Sequence, residues 1–166
     1  MFNKQGWPTW ARLLVVVATL VIIVAGWWLV VGRQPKNMDQ LGYDSLYHYR
    51  NEDLKFKLDL PEQFIYYQTE RTNSTDYQEI KFYVPTSDPE YTASTPPSYA
   101  KPIVIRAYNE EAWNKLSDGD ENKKEFTKAA NHDGKVYLIS FWEKQPNDWK
   151  DKWTDAMKES IAKSLQ

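Results

Sequence analysis

The sequence predicts an α+β domain, an antiparallel β-sheet packed by helices, that follows an N-terminal transmembrane helix. Three patterns carry this prediction. Residues Leu13–Val31 form a run of nineteen residues without a charge, residues 54–60 alternate apolar and polar side chains, and residues 148–165 repeat apolar side chains at helical spacing. Because predicted strand pairs come before the terminal helix, with one short helix between them, the order favours an antiparallel sheet.

The uncharged run is long enough to span a bilayer. Nineteen helical residues extend about 28 Å, close to the roughly 30 Å of a hydrocarbon core. The alternative is a cleaved signal peptide, but its apolar region is usually about 7–15 residues long, and the bulky Trp27 and Trp28 follow a weak cleavage site. These two residues, with Trp7 and Trp10 before the run, suit the bilayer interfaces. We therefore expect an uncleaved anchor over Leu13–Val31.

Charge and layout predict the orientation. Lys4 and Arg12, with the α-amine, precede the run, and Arg33 and Lys36 follow it, which gives a slight positive-inside bias. A short leader before the span and a whole domain after it are typical of a signal anchor. We expect a single-pass protein of the cell membrane with a cytoplasmic leader (1–12), an anchor (13–31), a linker (32–42) and an extracytoplasmic globular domain (43–166).

The composition excludes several classes of function. Residues 1–36 hold four of the 21 basic residues and none of the 23 acidic ones, so the rest of the chain has a net charge of about −6. An acidic surface argues against nucleic acid as a partner. The sequence contains no cysteine, which excludes disulfides, thiol catalysis and cysteine metal sites.

Two hairpins are predicted at the start of the domain. The alternation over residues 54–60 predicts a half-buried strand, and residues 46–50 are expected to pair with it. Residues 64–70 and 77–84 predict a second hairpin, whose latter strand directs apolar side chains to the core.

One strand, a short helix and a third hairpin follow. Residues 103–108 predict the strand, and Asn109 is suited to cap a helix over residues 110–116. After a charged loop, residues 125–130 and 135–142 predict the hairpin. Its second strand is apolar on both faces, so we expect it to be covered on both sides.

The chain closes with a predicted helix over residues 148–165. Trp149 and Trp153 lie on its apolar face with the aliphatic residues that follow them, and we expect both to be core anchors.

Two motifs in the domain resemble those of PsbP-like domains. Residues 56–64 (FKLDLPEQF), preceded by the aromatic residues 47–49, resemble the opening F-x-L-x-x-P-x-x-[WF] of that superfamily, and residues 161–165 (IAKSL) resemble its closing I-x-x-S-[FL]. The resemblance covers residues 43–166 and implies an α/β/α sandwich with a non-enzymatic scaffolding, assembly or partner-binding role. With the predicted anchor, the resemblance is interpreted as that of a bacterial membrane-anchored relative of these domains. No site of the family maps residue by residue onto this chain.

The long segment at residues 85–102 is the candidate binding site. It is rich in Pro, Ser and Thr and carries Tyr91 and Tyr99, which offer the rigid amphipathic area that interfaces favour. The alternative is a loop that packs these tyrosines onto its own domain.

No residues predict a catalytic or metal site, and no cofactor is expected. His48 and His132 are interpreted as structural or solvated histidines, because metal sites need several convergent ligands. Residues 118–122 superficially resemble a calcium loop but lack its glycine and its final glutamate, so a solvated turn is the simpler interpretation and weak calcium binding the alternative.

Two functions remain open from the sequence. The first is a binding or assembly module that is tethered to the bilayer through its N-terminal helix and docks an envelope protein. The second is an envelope hydrolase that uses paired carboxylates on a carbohydrate or peptide. Glu110 and Glu111 are not such a pair, because neighbours on a helix point apart. The first function is favoured, since no nucleophile, base and orienting group can be proposed together.

Overall fold

The computed structural model describes residues 41–117 and 119–166. The predicted anchor over Leu13–Val31 and its flanking residues Trp7, Trp10, Trp27 and Trp28 lie outside this part of the chain. Within the described ranges, no helix is both long and apolar enough to cross a membrane. Antiparallel strands with a few short helices make up the domain, which confirms the predicted α+β class.

In residues 41–117 and 119–166, seven strands form two antiparallel sheets. Their bounds are β1 (Leu46–Asn51), β2 (Phe56–Pro61), β3 (Gln68–Asn73), β4 (Tyr77–Pro85), β5 (Tyr99–Asn109), β6 (Thr127–His132) and β7 (Lys135–Phe141). β1 and β2 form a separate hairpin, and the other five strands form one sheet in the order β3-β4-β5-β7-β6. The three predicted hairpins are present as β1–β2, β3–β4 and β6–β7.

The helices are short. The α-helices are α1 (Glu110–Lys115), α2 (Glu121–Glu125) and α3 (Asp155–Ser164), and the 3-10 turns are Glu62–Phe64, Pro89–Tyr91 and Asn147–Trp149. The short helix α2 lies where the sequence predicts only a charged loop. Asn109 precedes α1 as expected, but its side chain makes no capping hydrogen bond.

The C-terminal segment differs from the single predicted helix. A 3-10 turn at Asn147–Trp149 comes first, and α3 begins only at Asp155, because the side chain of Thr154 accepts a hydrogen bond from the backbone N–H of Met157 at 3.2 Å and caps a new helix. Trp149 and Trp153 are nevertheless buried, with 2% and 5% of their surface exposed. Their role as core anchors is confirmed, and the continuous helix is wrong.

The predicted strand over residues 64–70 also begins later, at Gln68. Pro61 precedes the 3-10 turn Glu62–Phe64, and this turn directs Phe64 fully into the core. The proline fixes the backbone at the start of the turn, so the alternation seen in the sequence does not continue directly into the next strand.

The larger core lies on one face of the five-stranded sheet. It is closed by the β1–β2 hairpin and by the C-terminal segment with α3. A smaller core lies on the opposite face, where α1 contributes Trp113. β7 supplies both cores, with Tyr137 and Ile139 in the larger and Val136 and Leu138 in the smaller one, so the predicted two-sided burial of this strand is confirmed.

The two ends of the domain are joined by hydrogen bonds. The backbone N–H of Asp59 in β2 donates to Ser164 Oγ at 2.9 Å, and the backbone N–H of Lys57 donates to the carbonyl of Gln166 at 2.7 Å.

The five-stranded sheet ends at β3 and β6. Every residue of β3 is exposed, and β6 has an irregular register between Lys128 and Ala130.

Candidate functional site

The connection between β4 and β5 is shorter than the segment 85–102 that the sequence singles out. β4 ends at Pro85 and β5 begins at Tyr99, so residues 86–98 form the connection, which we name the β4–β5 loop. Its first half contains the 3-10 turn Pro89–Tyr91. The segment is therefore a compact folded loop joined to two strands.

Ser94 holds the second half of the β4–β5 loop together. Its Oγ lies 2.6 Å from the carbonyl oxygen of Tyr91, 2.7 Å from that of Pro96 and 2.9 Å from that of Tyr99. A hydroxyl has one proton to donate, so the three carbonyls share it. The backbone N–H of Ser98 also donates to the Tyr91 carbonyl at 2.9 Å. The backbones of the two predicted binding tyrosines are thus joined through one serine.

Two carboxylates fasten the β4–β5 loop to the segment before α3. Asp88 accepts a hydrogen bond from the backbone N–H of Asn147 at 2.8 Å. Asp148 accepts one from Thr86 Oγ1 at 2.6 Å and another from the backbone N–H of Ser87 at 3.1 Å. We name these hydrogen bonds the aspartate frame. Because they cross-link two separate segments in opposite directions, the base of the loop is fixed.

Both carboxylates of the aspartate frame are held in the ionised form. Hydrogen bonds from the backbone N–H groups of Asn147 and Glu90 hold the pKa of Asp88 below its ordinary value. Burial alone would raise the pKa of Asp148, but the hydrogen bonds from Thr86 and Ser87 outweigh it and lower that pKa. A glycosidase general acid needs a raised pKa, so this pair gives no support to carboxylate hydrolysis.

Tyr91 and Tyr99 are both partly exposed. Each residue is therefore partly covered by its own domain and keeps a remaining surface that a partner could contact. Pro97 and several small polar residues of the loop are exposed beside them. The arrangement gives contact area on a fixed backbone, which is the condition for binding with little loss of conformational entropy.

A group of charged side chains that no local sequence pattern predicted lies on the sheet face of the smaller core. Arg106 Nε donates to Glu79 Oε2 at 2.6 Å, and both side chains are largely buried. The guanidinium of Arg106 also lies over the rings of Tyr77 and Phe126, at 4.7 Å and 4.2 Å from their centroids. The alternating side chains of β4 indicate which of its residues share this face. They do not identify Arg106, which lies on β5, 27 positions after Glu79.

The same face continues toward the edge of the sheet. Lys81 Nζ lies 3.7 Å from Glu70 Oε2 and 3.8 Å from Glu79 Oε1, and the Tyr83 hydroxyl donates to Glu70 at 2.6 Å. This hydrogen bond, with the charge of Lys81, lowers the pKa of Glu70, while burial and Glu70 raise the pKa of Tyr83. The charges are paired with one another, which suits a structural role on the sheet.

The two histidines occupy different surroundings. His48 Nδ1 lies 2.7 Å from Asp59 Oδ1 and its Nε2 lies 3.3 Å from Asp44 Oδ2. The ring of His132 stacks on Tyr137 at a centroid distance of 4.5 Å. Across residues 41–117 and 119–166, no group of three or more His, Asp or Glu is arranged to hold a metal ion.

Weak calcium binding by residues 118–122 stays a prediction, because Asp118 lies outside the described residues. Glu121 of this segment begins α2.

The chain was compared with protein-family models, curated proteins and solved structures, and none of the three comparisons gave a match.

Proposed function

We propose that the chain is a membrane-anchored, extracytoplasmic, PsbP-like module that binds an envelope protein and supports its assembly, without catalysis of its own. In this proposal Leu13–Val31 is the single membrane span and residues 43–166 lie outside the cytoplasm. The contact surface is the β4–β5 loop with Tyr91 and Tyr99.

The meeting of the two motif segments supports the PsbP-like assignment. Phe56, Leu58 and Phe64 of the first motif are fully or almost fully buried in the larger core, where Ile161 and Leu165 of the second motif also lie. The motif serine accepts the hydrogen bond from the backbone N–H of residue 59, which is 105 positions away. The two short motifs therefore contribute to the same core and are joined by a hydrogen bond. Cores on both faces of the sheet support the α/β/α sandwich.

The observation that carries the binding function is the fixed backbone of the β4–β5 loop. Most long loops of this composition would lose conformational entropy when a partner orders them. Here Ser94 and the aspartate frame have already ordered the loop, so tyrosine contact area is offered at lower entropic cost. The two tyrosines are also partly exposed.

The proposal is tested by capture of partners from native membranes. The full chain is cross-linked in membranes, solubilised and recovered, and the recovered partner is quantified by mass spectrometry. Replacing Tyr91 and Tyr99 by Ser should lower recovery of a specific partner about tenfold or more, as expected when central aromatic contacts are removed. Replacement of both by Phe keeps the rings and should retain most of the recovery.

A variant at a distant site provides the control. Glu52→Ser changes an exposed residue in the turn between β1 and β2 and should leave recovery unchanged. Thermal unfolding of each variant is measured in parallel. If the tyrosine-to-serine variant melts at a lower temperature and still recovers the partner, the tyrosines are packing residues, and the β4–β5 loop is not the contact surface.

A further inference from the structure

Four large apolar side chains are exposed among the residues that the structure describes. The exposed fractions are 47% for Leu41, 114% for Tyr43, 47% for Ile65 and 76% for Tyr66. They belong to two segments, residues 41–43 before β1 and residues 65–66 after the 3-10 turn that follows β2. Isolated exposed apolar residues are ordinary, but several at one place mark an interaction site.

Backbone pairing brings the two segments to the same end of the β1–β2 hairpin. Leu41 bridges to Tyr47, and Leu46 at the start of β1 pairs with Pro61 at the end of β2. The ring of Tyr47 contacts the ring of Tyr67 with a centroid distance of 6.1 Å. The exposed segments therefore flank the contact between Tyr47 and Tyr67.

The backbone displays Ile65 and Tyr66 between two anchored aromatic residues. Phe64 is fully buried, and Tyr67 packs against Phe82. Tyr66 has a φ of 60°, a left-handed conformation that bulky residues rarely adopt. A bulky aromatic side chain that is 76% exposed on such a strained backbone favours a role at the surface.

We propose that Leu41, Tyr43, Ile65 and Tyr66, which we name the hairpin-end patch, rest in the interfacial layer of the bilayer that holds the anchor. This inference rests on the anchor of the proposed function. Nine residues lie between Val31 and Leu41, so even a fully extended chain keeps Leu41, the first residue of the patch, within about 36 Å of the end of the predicted span. The exposed apolar end of the domain is thus the end that is tethered next to the membrane.

The chemistry of the hairpin-end patch fits lipid. Tyrosine has an apolar ring and a polar hydroxyl and is favoured at the level of the headgroups, where leucine and isoleucine can enter the acyl boundary. The charged residues within segments 41–46 and 61–67 are Asp44 and Glu62. Both are acidic, so attraction to anionic lipid does not drive the contact. Zwitterionic lipid should suffice, and salt should have little effect.

The absence of cysteine from the sequence allows a direct test with single spin labels. Tyr43→Cys and Tyr66→Cys are labelled in the full chain, reconstituted in phosphatidylcholine vesicles. Glu52→Cys, in the turn at the opposite end of the hairpin, is the matched control. Power-saturation measurements compare collisions with oxygen, which concentrates in lipid, and with a water-soluble nickel chelate. We expect labels at 43 and 66 to favour oxygen several-fold over the control label.

A second variant tests whether the patch acts as one surface. Tyr66→Asp should move a label at position 43 back toward water, because a carboxylate does not enter the interface. Tyr66 is exposed, so the thermal unfolding midpoint of the domain should be nearly unchanged. Labels at 43 and 66 with the same accessibility as the control label would overturn the inference.

Two further measurements separate the remaining outcomes. Tenfold dilution of the protein in lipid should not change the accessibility, and a change with density would assign the patch to contact between copies of the chain and overturn the lipid inference. Alkaline carbonate extraction tests the anchor itself. Loss of the chain from the vesicles contradicts the proposed anchor, whereas retention with labels in water contradicts the hairpin-end patch alone.

Discussion

The carboxylate of Asp148 accepts a hydrogen bond of 2.6 Å from the hydroxyl of Thr86, a residue 62 positions earlier in the chain. This bond and those of Asp88 connect the base of the β4–β5 loop to the segment that carries Trp149. The order of the loop therefore depends in part on the side chain of Asp148, which lies outside it.

Asp148→Ala should lower the free energy of unfolding by about 1–3 kcal/mol, because a buried hydroxyl and a backbone N–H lose a charged acceptor. Urea unfolding of the domain measures the change. Asp151→Ala, an exposed aspartate three residues later, is the control and should change the free energy by less than about 0.5 kcal/mol. Equal effects of the two substitutions would show that the aspartate frame does not stabilise the domain.

Acid should release the β4–β5 loop. The pKa values of Asp88 and Asp148 are lowered in the folded protein from the ordinary value of 3.8. A lowered folded pKa gives stability that is present above the unfolded pKa and is lost as the pH falls through the folded pKa. The amide chemical shifts of Asn147 and Ser87 should titrate with midpoints below 3.8. Midpoints above this value would contradict the predicted direction.

The two core tryptophans should respond differently to loss of the indole nitrogen. Trp149→Ala and Trp153→Ala should each cost about 3–5 kcal/mol, because both side chains are buried. Trp149 Nε1 donates to the carbonyl of Pro85 at 3.1 Å, whereas Trp153 Nε1 is buried without a hydrogen-bond partner among the described residues. Replacement by Phe should therefore cost about 1 kcal/mol more at Trp149, and the reverse order in urea unfolding would reject this account.

His48 should titrate at a higher pH than a free histidine. The hydrogen bond to Asp59 and the charge of Asp44 raise its pKa from 6.5. A raised folded pKa gives stability that is complete below the unfolded pKa and is lost as the pH rises through the folded pKa. Since the side chain is half exposed, solvent screening keeps the gain below about 1 kcal/mol.

The ring-proton NMR signal of His48, assigned by its loss in His48→Gln, measures the predicted shift. Asp59→Asn should lower the pKa toward the ordinary value. An unchanged pKa in that variant would show that Asp59 is not the main cause.

The orientation of the chain is tested in spheroplasts. Protease added to intact spheroplasts should remove residues 43–166, because the slight excess of positive charge precedes the predicted span. Lysed spheroplasts provide the control for protease access. Complete protection in intact cells, with digestion after lysis, would place the domain in the cytoplasm.

Local patterns in the sequence predicted most of the strands. The alternation over residues 54–60 identified β2, and the apolar residues on both faces of β7 predicted its two-sided burial. The spacing of Trp149 and Trp153 predicted that both are buried but suggested one long helix, because a 3-10 turn followed by a capped helix preserves much of the same apolar spacing. Thr154 was the available signal, since threonine is a favoured N-cap.

The candidate site was predictable only in part. Pro, Ser, Thr and Tyr content identified the segment that contains the β4–β5 loop, but composition does not report which carbonyls a serine such as Ser94 contacts. The aspartate frame and the Arg106–Glu79 ion pair each join residues that are far apart in sequence. Such partners follow from the packing of the whole sheet and leave no local pattern.

The two edge strands of the five-stranded sheet affect how neighbouring copies of the domain could pair on a membrane surface. Proteins tethered to a membrane diffuse in two dimensions and meet repeatedly in similar orientations, so an open strand edge would invite the growth of chains of paired sheets. β3 is polar and exposed along its whole length and carries Glu70 and Arg71, and the irregular register of β6 interrupts the opposite edge. Charged and irregular edges resist strand addition, so we expect the domain, in the proposed tethered arrangement, to resist edge-to-edge pairing at high surface density.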